Sequence, residues 1–381
     1  MSDRLNVALI GCGGIAGMKH VPAVRANADL ARIAAVQDVD VRRARNLAQE
    51  CGSDVRVYET VEELLSERSI DVVHVCTPNA THAPVSIAAM RAGKHVLCEK
   101  PIADTQEAAR EMIRVQRETG KLLSISYQNR FRHDSQAIKR ACESGSLGEI
   151  YYAKAHATRR RRAPNWGSFL SAGKSGGPML DIGVHAIDLA LWFMDNYDVE
   201  SVSGSVFHKL ADCPEGNVFG PWDPEQFNVE DSAVGFVRMR NGATLLVEAS
   251  YALNLRDARE AMTTLCGTRG GAEQIVGDFG YGSFDYIINT VANGDLVTVR
   301  PDLPHRFLLD VSQARNELMG SAPAREFRCW FEAVLNHGQP PVLPEQAYIV
   351  NRVAEAILES GRTGRTIHFE SDEIWEGRDR K

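Results

Sequence analysis

The chain has 381 residues, 44% of them hydrophobic and 24% charged, and carries a formal net charge of −7 at pH 7. That length exceeds what a single hydrophobic core fills, so about two domains are expected. The acidic balance gives no electrostatic reason for nucleic acid or an anionic membrane as partner, and no apolar stretch reaches the ~18 residues of a membrane span.

In chain order, Val7-Ala8-Leu9-Ile10 runs straight into Gly11-Cys12-Gly13-Gly14-Ile15-Ala16, a strand that breaks into a G-x-G-x-x-A turn and the first turn of a helix. Gly11 permits the sharp reversal, Gly13 lets the backbone approach a pyrophosphate, and Ala16 keeps the helix close to the sheet. Gly14 and Ile15 complete the turn, and the helix N-terminus holds the anion. A second apolar strand, Leu30 to Gln37, ends in Asp38, about 20 positions beyond Ala16, where a ribose-binding acid is expected. Asp38 can accept hydrogen bonds from both ribose hydroxyls and would repel a 2′-phosphate. Val39 and Asp40 follow it, with no cation to receive that phosphate, so NAD is expected in preference to NADP. The competing reading, that Asp38 only starts a turn, lacks the strand and the spacing.

The first ~125 residues alternate strand and helix, as a parallel sheet requires. Strands are expected at Asn6–Ile10, Ala31–Gln37, Val72–Cys76, His95–Cys98 and Leu122–Ser126, and helices at Val41–Cys51, Val61–Glu67, Ala83–Ala92 and Thr105–Glu118. Gly52, Gly93 and Gly120 are the expected helix stops. Thr77-Pro78-Asn79 and Glu99-Lys100-Pro101 follow two of these strands, at the carboxyl ends where open α/β sheets bind ligands.

Beyond residue 126 longer alternating strands replace this pattern: Ile150–Thr158, Val199–His208, Ala233–Arg240, Ala243–Ala252 and Thr263–Cys266. Asn241-Gly242 is a hairpin turn. Two helices, Ala324–Asn336 and Pro344–Gly361, and a short strand near Thr366–Glu370 end the chain, while Asp212–Asn228 reads as a long loop. The expected division is therefore 1–126, an α/β dinucleotide-binding domain, and 127–381, an α+β domain. The eight cysteines stand singly, without a C-x-x-C pair, the pattern of reduced and mostly buried thiols. With no signal-peptide pattern at the N-terminus, a cytoplasmic protein is expected.

The segment from Gly176 to Phe193 reads as a helix apolar nearly all round, hence buried. Asp181, His185 and Asp188 are its titratable residues, and offsets of four and three place them on one face. A desolvated His beside a carboxylate is a candidate general base, because the carboxylate favours the imidazolium formed on taking a proton; taken alone, the motif reads first as a satisfied core pair. A metal would need further ligands that no partner motif supplies, so none is expected. Lys100 could hydrogen-bond an alcohol oxygen and stabilise developing alkoxide charge, or be an ordinary loop lysine. Arg159 to Arg162, followed by Trp166, form the one dense basic cluster; Arg162 and Trp166 are candidates for a loop that contacts an anionic substrate group, against simple surface solvation.

Taken in order, Gly11-x-Gly13-x-x-Ala16, Cys76-Thr77-Pro78-Asn79-Ala80-Thr81-His82, Glu99-Lys100-Pro101 and Asp181-x-x-x-His185 resemble the glucose-fructose oxidoreductase/inositol dehydrogenase/rhizopine catabolism (Gfo/Idh/MocA) family. The resemblance runs over nearly the whole chain, with one departure at Gly177-Pro178, where many relatives carry a third glycine. It implies an N-terminal Rossmann domain and a C-terminal domain whose large, mainly antiparallel open sheet often mediates dimers or tetramers. By the same resemblance Lys100, Asp181 and His185 match the family's catalytic positions, with His185 as proton acceptor. Thr77, Pro78, Asn79, His82 and Glu99 would line the path from adenosine to nicotinamide, and Gln128 would contact its nicotinamide end. The implied activity is hydride transfer between a ring C–OH of a sugar, sugar derivative or cyclic polyol and NAD. Two alternatives are a glycoside-cleaving enzyme that retains its NAD and oxidises the sugar transiently, for which the arginine run would suit an anionic sugar, and a non-catalytic NAD-binding sensor.

Overall fold

The computed structural model describes residues 4–167, 169–171, 176–277, 284–301 and 321–370. The chain divides into two compact units, residues 1–131 with 320–348 and residues 132–319 with 349–381.

In the first unit six strands, β1 (Leu5–Ile10), β2 (Ala31–Gln37), β3 (Arg56–Tyr58), β4 (Val72–Val75), β5 (His95–Glu99) and β6 (Leu123–Ser126), form a sheet in the order β3-β2-β1-β4-β5-β6. Every neighbouring pair is parallel. The order reverses between β1 and β4, the switch point at which doubly wound sheets bind nucleotides. The connecting helices start where side chains supply missing acceptors: Asp40 caps Val41–Cys51, Thr105 caps Gln106–Thr119, and Thr60 with Glu63 forms a capping box. Gly52 and Gly120 stand at the helix ends as expected.

The helix Ser321–Leu335, far along the chain, supplies Phe327, Trp330, Phe331 and Val334 to the same core as β1 and β2. Trp330, Phe327 and Phe331 are fully buried, worth about 1.5–3 kcal/mol each relative to exposure.

The second unit is built on nine strands: β7 (Ile150–Thr158), β8 (Val199–Phe207), β9 (Ser232–Met239), β10 (Thr244–Ser250), β11 (Arg259–Gly267), β12 (Gly270–Val276), β13 (Phe284–Ala292), β14 (Asp295–Val299) and β15 (Ile367–His368). Their order is β14-β13-β12-β11-β7-β10-β9-β8-β15. All pairs are antiparallel except β7 with β10. Asn241-Gly242 makes the expected turn between β9 and β10. Asn293-Gly294 repeats it between β13 and β14, both residues at positive φ, a hairpin the sequence reading did not include.

Alternation sorts the sheet faces. Ala233, Val237, Leu245, Val247, Ala153 and Ala155 are buried, whereas Val234 and Phe236 are each 43% exposed. The buried face carries the helices; Gly204 and Gly235 leave room there for Ile357 of the helix Pro344–Thr363. A groove of about 520 Å³ runs over the other face, lined in part by Lys154, Val234, Phe236 and Glu248.

Candidate functional site

In the first unit, Gly11 sits at φ +92 between the ends of β1 and β4, and a Cβ there would lie 2.7 Å from the Cys76 main chain. Only glycine permits both the conformation and the approach. At Gly13 a Cβ would meet nothing within 4 Å, so its bareness serves space outside the protein. Cys12 donates its backbone N–H to Asp38 Oδ2 at 2.7 Å, and Asp40 donates to Asp38 Oδ1 at 2.8 Å. The carboxylate that ends β2 is thereby fixed beside the glycine turn. Burial and that carboxylate push the Cys12 thiol up to about 12, so Cys12 stays a thiol. Beside Gly11, Thr77 Oγ1 is buried without a hydrogen-bond partner among the described residues. An open glycine turn, a fixed carboxylate and an orphaned hydroxyl together suit a dinucleotide, which residues Gly11 to Ala16, Asp38 and Thr77 would hold.

The helix that follows the turn widens to a π-turn over Ala16–His20, with the Val21 N–H reaching Ala16 O. Pro22, one residue on, has no N–H to give and its ring disfavours the regular i−4 contact. The wider turn directs Lys19 and His20 inward. Lys19 Nζ lies 2.7 Å from Glu99 Oε1, 2.7 Å from Ser126 Oγ and 3.1 Å from Gln128 Oε1. His20 Nε2 meets the same Glu99 oxygen at 2.8 Å, and its Nδ1 meets His74 Nδ1 at 3.1 Å. Burial pushes the Glu99 carboxyl up, but Lys19 and His20 overcome it and hold Glu99 well below the usual carboxylate range. Burial keeps His20 and His74 low, hence neutral.

Glu99 and Gln128, expected along the cofactor path, thus direct these side-chain oxygens into a buried network that ties the glycine-turn helix to β5 and β6. His82 has a comparable role. Its Nδ1 lies 2.7 Å from Pro101 O and its Nε2 2.9 Å from Thr77 O, so the ring straps together the two loops that carry Thr77-Pro78-Asn79 and Lys100-Pro101. Burial lowers its pKa, and the neutral ring donates to one carbonyl at a time. Lys100 is half-buried and precedes a cis bond to Pro101; Pro78 is exposed and Asn79 half-buried.

In the second unit the predicted helix is present as a π-turn, Met179–Gly183, continued by Val184–Met194. Asp181 is half-buried, His185 is 9% exposed and Asp188 is fully buried. Tyr251, just past β10, donates its hydroxyl to Asp181 Oδ2 at 2.8 Å. Burial first, then the neighbouring Asp181, raises the Tyr251 phenol well above its ordinary range, so it remains the donor. Tyr251 carries no sequence signal of its own; it is found through the register that brings the end of β10 to the start of this helix.

The arginine run divides. Arg159 pairs with Glu260 at 2.7 Å and lies 5.7 Å from the Tyr251 ring centroid. Arg161 donates to Cys213 O and Asn254 Oδ1. The Arg162 guanidinium lies 5.3 Å from the Phe219 ring, against which Trp166, 53% exposed, packs edge-on at 4.8 Å. The Arg162 backbone N–H donates to Tyr251 O at 3.0 Å, which anchors this loop beside the residue that holds Asp181. Among the described residues there is no group of three or more His, Cys, Asp or Glu placed to hold a metal ion, and no helix is long and apolar enough to cross a membrane.

Comparison with known proteins gives the family and the fold. Residues 5–127 match the model of an oxidoreductase family with an NAD-binding Rossmann fold, and residues 135–273 match the GFO/IDH/MocA C-terminal domain. The chain is 34% identical over 373 residues to D-glucoside 3-dehydrogenase of Escherichia coli (strain K12), covering 97% of this chain and 98% of that one. It is 26% identical to the scyllo-inositol 2-dehydrogenase (NAD(+)) of Bacillus subtilis (strain 168), covering 99% and 100%. Among solved structures, an NAD-binding oxidoreductase from Klebsiella pneumoniae superposes with a TM-score of 0.79 at 21% identity, over 97% of this chain and 100% of that one, a likeness of fold. The chain belongs to the Gfo/Idh/MocA family of oxidoreductases, with an N-terminal NAD-binding Rossmann domain and the family's C-terminal domain.

Proposed function

We propose that the protein oxidises one ring hydroxyl of a D-glucoside or closely related sugar to a ketone, with NAD as acceptor and His185 as the base that takes the hydroxyl proton. The observation that carries this reading is the Tyr251–Asp181 hydrogen bond of 2.8 Å on the helix that also bears His185, since a carboxylate fixed by a protonated phenol is suited to orient and charge-stabilise an imidazole. The full-length similarity to D-glucoside 3-dehydrogenase supports the substrate class and, with it, oxidation at the sugar's third carbon.

When bound, NAD would supply the hydride acceptor for the carbinol carbon. The chain's own residues do the rest. His185 removes the hydroxyl proton, Asp181 favours the imidazolium that results, and Lys100 donates a hydrogen bond to the substrate oxygen as negative charge develops on it. Asp38, Gly11, Gly13, Gly14, Ile15, Ala16 and Thr77 hold the dinucleotide, with Pro78 and Asn79 at its edge. Val39 is 99% exposed and Arg42 is engaged with Asp40 at 3.0 Å, which supports NAD over NADP. Arg162 and Trp166 contact the substrate's outer end; a flat aromatic face beside a guanidinium suits a glycoside. The open sheet face, with Val234 and Phe236 exposed, supports a homodimer or homotetramer.

The test is reduced-cofactor formation by the purified protein with NAD or NADP against alkyl and aryl D-glucosides, free sugars and inositols. Stoichiometric NADH with a glucoside supports the reading. Aglycone release without net NADH would replace it by a glycosidase that retains its NAD, and no turnover of any alcohol would overturn it.

A further inference from the structure

One buried carboxyl in the second unit has no part in the chemistry above. Glu230 is 6% exposed and lies just before β9. Its Oε1 accepts the Met179 backbone N–H at 3.1 Å, at the first turn of the helix that bears Asp181 and His185. Both of its oxygens press on the main chain ahead of that turn: a Cβ at Gly177, itself at φ +96, would lie 2.5 Å from each of them. Glycine at this position is what lets the carboxyl reach the helix end, where the unsatisfied N–H groups and the positive end of the helix dipole favour an acceptor and a negative charge.

The segment that presents Glu230 is itself held. Asp231 Oδ2 accepts the backbone N–H groups of Lys209 and Leu210, its Oδ1 accepts the Ser232 hydroxyl, and its carbonyl accepts the Tyr251 N–H. Glu230 and Tyr251 are therefore tied to the same end of the sheet, one residue from a shared backbone hydrogen bond. One grips the helix main chain at Met179 and the other the side chain of Asp181. A helix start fixed at two points two residues apart has little freedom to shift relative to the sheet.

We propose that Glu230 is a positioning residue for the reaction: its carboxyl clamps the start of the Met179–Met194 segment to the sheet, and its charge state adjusts the setting of Asp181 and His185. The proposal rests on the function proposed above for His185. The groups facing Glu230 are the Met179 N–H, Asp231 on its own segment, Arg362 from the helix Pro344–Thr363, and Tyr251 with Asp181 behind it. Burial, with Asp231 adding to it and Met179 and Arg362 opposing, pushes the Glu230 carboxyl up to about 7. The clamp thus changes charge within the range where dehydrogenation is measured. Its titration also acts on stability: a carboxyl raised in the folded state binds a proton that the unfolded chain has already lost, so stability falls as pH rises from the ordinary carboxyl range to about 7.

The test compares the full-length wild type with Glu230→Gln, which keeps an acceptor for Met179 but cannot ionise, and Glu230→Ala, which removes it. NAD affinity, kcat and KM are measured from pH 5 to 9, and the His185 imidazole is followed by NMR over the same range. Expected are unchanged NAD affinity, a fall in kcat of about tenfold in the alanine variant, and loss in the glutamine variant of one step near neutral pH from both the kcat profile and the His185 titration. A kcat–pH profile and His185 titration that superimpose on the wild type in Glu230→Gln, or wild-type kcat in Glu230→Ala, would overturn the proposal. If the wild type turns over no sugar, the proposed function fails and the His185 titration alone decides the role of Glu230.

Discussion

In the first unit the candidate cofactor surface is largely main chain, a glycine turn at φ +92 with open space beyond Gly13, and its side chains serve mainly to fix that turn. In the second unit the candidate chemistry depends on side chains brought together from distant segments: Glu230 lies 51 positions from Met179, and Tyr251 lies 70 positions from Asp181. Both helices nevertheless begin with a π-turn, a local widening often found at functional sites. A main-chain site is specified by a few contiguous residues and withstands change at its periphery. A side-chain site depends on sheet register, so single hydroxyls and carboxyls carry it.

The largest effect should follow from filling the turn. Gly11→Val places a Cβ 2.7 Å from the Cys76 main chain at a positive φ; strain alone amounts to about 1–3 kcal/mol before the clash is counted. NAD binding should be lost and Tm lowered, and a variant that binds NAD and melts like the wild type would break the main-chain side of the comparison. Next is Lys19→Met. Removing the ammonium leaves the Glu99 carboxylate buried with only neutral His20, a loss of about 3–5 kcal/mol at neutral pH for a broken buried pair. In the wild type Glu99 is held low, so its stabilising contribution is present above the ordinary carboxyl range and is lost as pH falls through its lowered value. In the variant the carboxyl protonates more readily, so the gap in Tm between the two proteins should narrow as pH falls; a gap that widens would contradict the assignment.

Tyr251→Phe sharpens the other side. Loss of a hydrogen bond to a carboxylate is worth about 1.5–3 kcal/mol, so kcat should fall about ten- to a hundredfold while NAD affinity stays unchanged. Equal loss of NAD binding would mean that the hydroxyl supports the fold rather than Asp181. The smallest effect expected is a change of preference: Asp38→Ser with Val39→Arg should raise the kcat/KM ratio of NADP over NAD by about tenfold, measured with one sugar at saturation.

What could be read from the sequence follows the same division. The strands and helices from β1 to β6 were legible because buried parallel strands are continuous apolar runs between glycine stops; the three-residue β3 was too short to announce itself. Asp181 and His185 could be found because they interrupt an otherwise apolar helix, and the arginine run because it is dense. Tyr251 and Glu230 could not, since nothing local distinguishes them. Their place depends on which strands pair, including the parallel β7–β10 pair inside an antiparallel sheet. Likewise the apolar stripe of Ser321–Leu335 shows a buried helix without naming the core it enters, and Glu99 and Gln128 gave no hint that Lys19 would draw them inward. The hairpin at Asn293-Gly294 carried the same turn signal as Asn241-Gly242 and was readable.

The most direct test of the chemistry is NADH formation from an alkyl D-glucoside and NAD by the wild type and by His185→Ala, with NAD binding measured on both. Turnover by the wild type, with a fall of about 10²–10⁴-fold in kcat and unchanged NAD affinity in the variant, is the expected result. Wild-type kcat in His185→Ala would contradict the assignment of the base.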